Sequence, residues 1–127
     1  MIQIGSSVNI VDNCGGKKAY CIRVFGGSRK RYAIRGDLIL VAIRTLRKRR
    51  RVLSKVKKGE LYTALIIRSK SFSSHFSGDT SFFLENSVIL FNKQNKVLGT
   101  RIFGPIPKDF RSTKYMRLIS MSSGIIL

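Results

Sequence analysis

The sequence predicts a mainly β protein: a small closed β-barrel with a projecting basic loop or ribbon and one or two short C-terminal helices. Three observations carry that expectation. Apolar and polar residues alternate with period two over much of the first two thirds of the chain, as half-buried strands require. Clusters of Gly, Asn and Asp separate the alternating runs. Five or six short strands then fall within one small domain, where closure removes the exposed edges that would otherwise pair with other chains.

Gln3 to Val11 reads as the first strand, and Asp12-Asn13-Cys14-Gly15-Gly16 supplies turn chemistry. Tyr20 to Phe25 returns and breaks at Gly26-Gly27. After the Gly36-Asp37 turn, Leu38 to Arg44 is apolar enough to be buried on both faces. Gly59-Glu60 precedes a strand from Leu61 to Arg68, and Ser87–Phe91 and Val97–Ile102 form a hairpin across the turn at 92–96. Beyond Gly104-Pro105, Pro107 suits the first turn of a helix, and Phe110, Tyr115, Leu118 and Ile119 recur at helical spacings. This gives a helical cap over about 105–120 on a single domain of residues 1–127. No internal repeat or linker breaks the chain.

The 127 residues carry 25 Lys and Arg against 6 Asp and Glu, a net charge of +19. Self-repulsion on that scale opposes compaction, and a polyanionic partner such as nucleic acid relieves it. The cations are unevenly placed. Arg44, Arg47, Lys48, Arg49, Arg50, Arg51, Lys55, Lys57 and Lys58 occupy fifteen consecutive positions without an acid, between two strands. Arg29, Lys30 and Arg31 follow the Gly26-Gly27 break, with Lys17, Lys18, Arg23 and Arg35 nearby. The arginines can fork onto phosphate oxygens and stack on bases, which suits structured RNA. Phe25, Phe83, Phe91 and Phe103 are expected in the core, and Tyr32 and Phe72, flanked by polar or basic residues, are the candidates for base stacking.

Enzyme chemistry has little to build on. His75 is the single histidine, and the acids Asp12, Asp37, Glu60, Asp79, Glu85 and Asp109 are scattered singly, mostly as turn-capping residues. A nuclease, the alternative from another class, would need His75 close to Asp79 and a lysine. There is no phosphate-cradling glycine motif, no paired-carboxylate or zinc spacing, and therefore no catalytic residue, metal or cofactor to assign. Cys14 and Cys21 read as free thiols, with their pairing left open. The longest apolar run, Leu38–Ile43, is far shorter than the ~20 residues that span a bilayer, so no membrane segment is expected. No secretory signal or Arg-rich presequence is visible at the N-terminus; the chain is expected to act where it is made, or after removal of a leader.

Three stretches resemble one known family. The segment from Val8 to Ala33, VNIVDNCGGKKAYCIRVFGGSRKRYA, is similar to the opening strands and basic turn of the large-subunit ribosomal protein 14 family. ALIIRSKSFSSHFSGDTSFFLENSVIL, from Ala64, resembles its signature, and GTRIFGP with FRSTKYMRLIS resembles its most recognisable region. The resemblance implies a five-stranded barrel with C-terminal helices that binds large-subunit rRNA and reaches small-subunit rRNA at an intersubunit bridge. It also implies neighbouring ribosomal proteins and a ribosome-silencing factor as partners, the last meeting Thr100, Arg101 and Arg117. On that reading the rRNA-contact set is Lys17, Lys18, Arg29, Lys30, Arg31, Arg47, Lys48, Arg49, Arg50, Arg51, Lys55, Lys57, Lys58, Arg68 and Lys70.

Two departures stand out. The loop Ser71–Gly78 is rich in Ser and Phe where the family is usually basic, and the segment Arg47–Ser54 is longer and more basic than in bacterial members. With the acid-poor composition, these features suggest a mitochondrial ribosome in the mitochondrial matrix, with a plastid or a bacterial cytoplasm as the alternatives.

Overall fold

The computed structural model describes residues 1–48, 54–75 and 77–126. Five strands close into a barrel: β1 (Ser7–Ile10), β2 (Gly16–Val24), β3 (Leu38–Leu46), β4 (Leu61–Arg68) and, after two short strands, β7 (Ser87–Phe91). The pairings β1–β2, β2–β3, β3–β4 and β4–β7 are antiparallel, and β7 closes on β1 in parallel. The remaining elements are β5 (Ser73–Ser74) with β6 (Thr80–Ser81), a two-stranded antiparallel ribbon, and β8 (Ile102–Pro107) with β9 (Ser122–Ile126), a parallel pair. A 3-10 helix (Lys108–Ser112) and the helix α1 (Arg117–Met121) lie between β8 and β9.

The alternation of β4 and β7 feeds two cores. Ala64, Ile66, Val88 and Leu90 point into the barrel and meet Val8, Ile10, Ala19, Cys21, Ile39, Val41 and Ile43. Their neighbours Leu65, Ile67, Ile89 and Phe91 point outward and are covered by Ile102, Ile106, Phe110 and Leu118 of the C-terminal cap. The doubly buried strands are therefore β4 and β7 and not the segment Leu38–Arg44: Ile39, Val41 and Ile43 are buried, whereas Leu38, Leu40 and Ala42 are half-buried. The cap covers β4 and β7, so their outward faces need to be apolar too.

The expected hairpin after β7 shrinks to an isolated bridge between Phe91 and Val97, with Leu98 N–H donating to Leu90 O at 3.1 Å. Ile102 instead opens β8 and bridges to Asp12. The first strand is shorter than Gln3–Val11, because Ile4 and Gly5 turn before Ser7. Residues 49–53, the centre of the basic segment, lie outside the described residues, but both flanks are tied to one turn. Arg47 N–H donates to Gly15 O and Lys55 N–H to Cys14 O, each at 2.9 Å. Cys14 and Cys21 are both free and buried, and burial pushes the Cys14 thiol up to about 12.

Barrel closure depends on a buried carboxylate. The β1–β7 seam has only the pairs Asn9–Ser87 and Ile10–Val88. Asp12, fully buried, extends it by accepting from Leu90 N–H at 3.1 Å and from Cys14 N–H at 3.3 Å. Desolvation by burial raises its carboxyl above the ordinary value, against the lowering pull of those hydrogen bonds and of Arg47. A carboxyl raised in the folded state stabilises the fold at low pH and loses that contribution as pH rises through the folded value. Asp12→Ala strands two buried N–H groups and is expected to cost about 1–3 kcal/mol. The gap between wild type and variant, followed by urea denaturation, should widen as pH falls from 7 towards 4.

Candidate nucleic-acid interface

The antiparallel register of β2 and β3 decides where the cations gather. Gly16 pairs with Leu46 and Lys18 with Thr45. Lys17 and Lys18 from one sequence cluster therefore stand beside Arg47 and Lys48 from the other. Together with Phe103 they line a groove of about 890 Å³. Lys17, Lys18 and Lys48 are exposed on its wall, and Arg47 is half-buried.

At the opposite end of the same two strands, the 25–37 loop carries Arg29 and Arg31, both exposed, and Lys30, which pairs with Asp37 at 2.9 Å. About eight strand residues at ~3.3 Å each separate the two basic ends, a reach of several nucleotides. Lys57 and Lys58 are exposed on the turn before β4, where Gly59 N–H donates to Ile43 O. Lys55 is exposed, and its Nζ donates to Leu98 O at 3.1 Å. Arg49, Arg50 and Arg51 lie outside the described residues.

Several arginines are held by aromatic rings. Arg44 sits 4.3 Å over Tyr20, Arg23 5.8 Å over Phe25, and Arg47 and Arg101 are 5.1 and 5.5 Å from the Phe103 centroid. Arg47 also donates to Ile10 O and Gly16 O. Stacking leaves the guanidinium edge available for a phosphate while fixing its plane, so less side-chain entropy is lost on binding. Phe25 and Phe103 are thus half-buried platforms rather than core, and Phe83 likewise lies half-buried beneath Arg35 at 5.8 Å. Only Phe91 of the four expected core phenylalanines is buried. Phe25 and Phe103 each stand two residues after an arginine, Arg23 and Arg101, and so share its face of an extended chain, which composition alone does not reveal.

Arg68 lies at the base of the same groove but is occupied internally. Its guanidinium is buried and donates to Phe103 O at 3.0 Å, Pro105 O at 3.2 Å and Glu85 at 2.8 Å, pinning β8 to the barrel. Gly104 has a φ of +85°, and a Cβ there would run into that guanidinium. Burial works against the charge on Glu85, yet hydrogen bonds from Ser87, Asn9 and Arg68 hold its carboxyl below the ordinary value. Lys70 is exposed at the base of the β5–β6 ribbon.

The acids are consumed internally. Asp37 takes Lys30 and Ile34 N–H, Glu60 accepts from Tyr62 Oη, Asp79 faces Lys108, and Asp12 and Glu85 serve as described. His75 lies with Asp109, not with Asp79 and a lysine. Its Nδ1 is 2.6 Å from Asp109 and its Nε2 is 2.8 Å from Ser81 Oγ, to which Arg35 donates at 2.9 Å. Asp79 meets His75 only through its backbone carbonyl. Glu85 is the one acid that lines the basic groove, and it is paired there with Arg68.

Of the three residues expected at a protein interface, two come together. Thr100 and Arg117 line a second groove of about 900 Å³, with Lys96 and Lys114 on the rim and Phe91, Tyr115 and Leu118 in its floor. Arg101 turns instead towards Phe103. Asn13 positions the segment: its Oδ1 accepts from Thr100 N–H at 2.7 Å and Arg101 N–H at 3.3 Å, and its Nδ2 donates to Thr100 Oγ1 at 2.8 Å. Gly99 is required there, because a Cβ would stand 2.8 Å from Asn13 Oδ1 and 2.9 Å from Asp12 Cβ.

A five-stranded barrel with this cap is one scaffold, and the comparison with known families places it: residues 1–126 match ribosomal protein L14p/L23e. The chain belongs to that family. Ribosomal protein L14p/L23e members are structural proteins of the large ribosomal subunit, and the sequence motifs singled out above now have places in the fold. The turn 12–16 begins one basic groove, and the 99–105 segment separates it from the other. Sequence reading missed Asn13 as the clamp on Thr100; the signal was an Asx residue in a turn, which usually bonds its own backbone. Asn13→Ala is expected to remove about 1 kcal/mol of hydrogen bonding, speeding hydrogen exchange roughly fivefold at the Thr100 and Arg101 amides while barrel amides stay protected.

Proposed function

We propose that this chain is a permanent structural element of the large subunit that binds rRNA along its β2–β3 face. The observation that carries the reading is the convergence of Lys17, Lys18, Arg47 and Lys48 on one groove, with Arg29 and Arg31 at the far end of the same strands. A strongly basic surface of that extent, whose one acid, Glu85, is paired with Arg68, is an electrostatic match for folded RNA, whose A-form grooves are read through backbone and shape. The ring-held arginines Arg23, Arg44 and Arg101 add bidentate phosphate donors with fixed planes.

The second groove, with Thr100 and Arg117, supports the finer reading: a contact across the subunit interface, to small-subunit rRNA at a bridge and to a silencing factor that blocks joining. Its basic rim over an apolar floor suits an acidic protein face as well as phosphate. The same reading places the chain in a mitochondrial ribosome, supported by the acid-poor composition and the basic extension at 47–54.

Binding to large-subunit rRNA as a function of salt tests the main reading. Each lost phosphate contact should shallow the log–log slope by about 0.7–0.9. Substituting Lys17, Lys18 and Lys48 together with Ala, and separately Arg49, Arg50 and Arg51, is each expected to shallow it by about 2, with the barrel's urea midpoint unchanged. An unchanged slope for the first triple variant removes the groove from the interface.

A further inference from the structure

The segment from Ser69 to Glu85 is the place where this molecule is least like the rest of itself. Between Ser69 and Glu85 there is one cation, Lys70, against Asp79 and Glu85, in a chain of net charge +19. The same stretch exposes Phe72, Phe82 and Leu84, at 74%, 53% and 85% of their full surface. The two rings pack on each other with centroids 4.9 Å apart. Large apolar side chains left this open together mark a contact surface. A charge-depleted aromatic centre is the composition of a protein–protein interface, and cations stand only at the edge of this one, Lys70 at its base and Lys108 paired with Asp79.

The patch is also held in advance of any partner. His75, buried at the ribbon's base, joins Asp109 of the 3-10 helix and Ser81 of β6, and Arg35 reaches the same Ser81 hydroxyl. Lys108 donates to Ser77 at 2.7 Å and faces Asp79 at 3.6 Å, while Lys70 N–H donates to Asn86 Oδ1. These contacts anchor the ribbon between barrel and cap, so little conformational entropy remains to be lost on docking.

We propose that the Phe72–Phe82–Leu84 face of the β5–β6 ribbon is the docking surface for a second protein of the same particle, one that is itself cationic overall and presents an apolar patch. Charge selects this occupant. Two proteins that each neutralise RNA repel across most of their surfaces, and they can bury area against each other only where the cations stop. On this chain that place is the ribbon. The network around His75 is then a positioning device for the ribbon and has no catalytic part. The inference rests on the large-subunit reading above.

The test introduces the photoreactive residue p-benzoylphenylalanine in place of Leu84, whose exposure makes it tolerant, and irradiates purified large subunits that carry the chain. The expected product is an adduct with one large-subunit protein, resistant to ribonuclease, mapping to an apolar segment of a basic partner. It should be lost when Phe72→Ser and Phe82→Ser are added, although the chain remains in the particle. An adduct that is only RNA, or none from subunits containing the chain, overturns the docking proposal and leaves the large-subunit reading intact. Absence of the chain from large subunits overturns both.

Discussion

The barrel closes along a seam of two residue pairs between β1 and β7, and a buried carboxylate completes it. Asp12 supplies the acceptor that the short parallel ladder lacks, and the backbone on either side continues the work: Val11 N–H bonds Val88 O, and Phe103 N–H bonds Val11 O. The turn that carries Asp12 also fixes Asn13, Cys14 and Gly15. Through them it fixes Thr100, Lys55 and Arg47. One turn therefore sets barrel closure, the start of the basic segment and the approach of the 99–105 segment. A single buried group can dominate in this way because it sits where the sheet has the fewest hydrogen bonds.

Charge then follows from the closed barrel. All six acids are committed to internal partners, and among the described residues their ion pairs take up only Lys30, Arg35, Arg68 and Lys108, with His75 hydrogen-bonded to Asp109. Of the other described cations all but the half-buried Arg47 are exposed, several braced by aromatic rings. Such a molecule pays its electrostatic cost when alone and recovers it against a polyanion. Membership of the ribosomal L14p/L23e family agrees with that balance. The ribbon, poor in cations and rich in exposed rings, is the one described region built on a different principle.

Much of this was legible in the sequence, and the exceptions have physical causes. The barrel strands announce themselves where alternation survives beside a wetter face, as in Leu38–Leu46, whereas bulges interrupt it in Gly16–Val24. The cap helices were visible from the spacing of Phe110, Tyr115, Leu118 and Ile119, although Pro107 ends β8 and caps the 3-10 helix in an extended conformation instead of entering its first turn. The ribbon was not, since two-residue strands of serine and threonine carry no periodic signal, and neither was β9, whose parallel partner lies across the cap. Arg68 reads as a surface cation in a list of residues but is buried, because its partners are backbone carbonyls that no pattern displays. Likewise Lys17 and Arg47 are thirty positions apart, and only the β2–β3 register makes them neighbours.

The central claim is that the +19 charge is standing counter-charge for large-subunit rRNA. Sedimentation of particles from cells producing a tagged chain, through a sucrose gradient at moderate salt, measures it directly. The chain should migrate with the large subunit and leave it only as salt is raised. A chain that stays at the top of the gradient at moderate salt, with large subunits intact below it, would contradict the account.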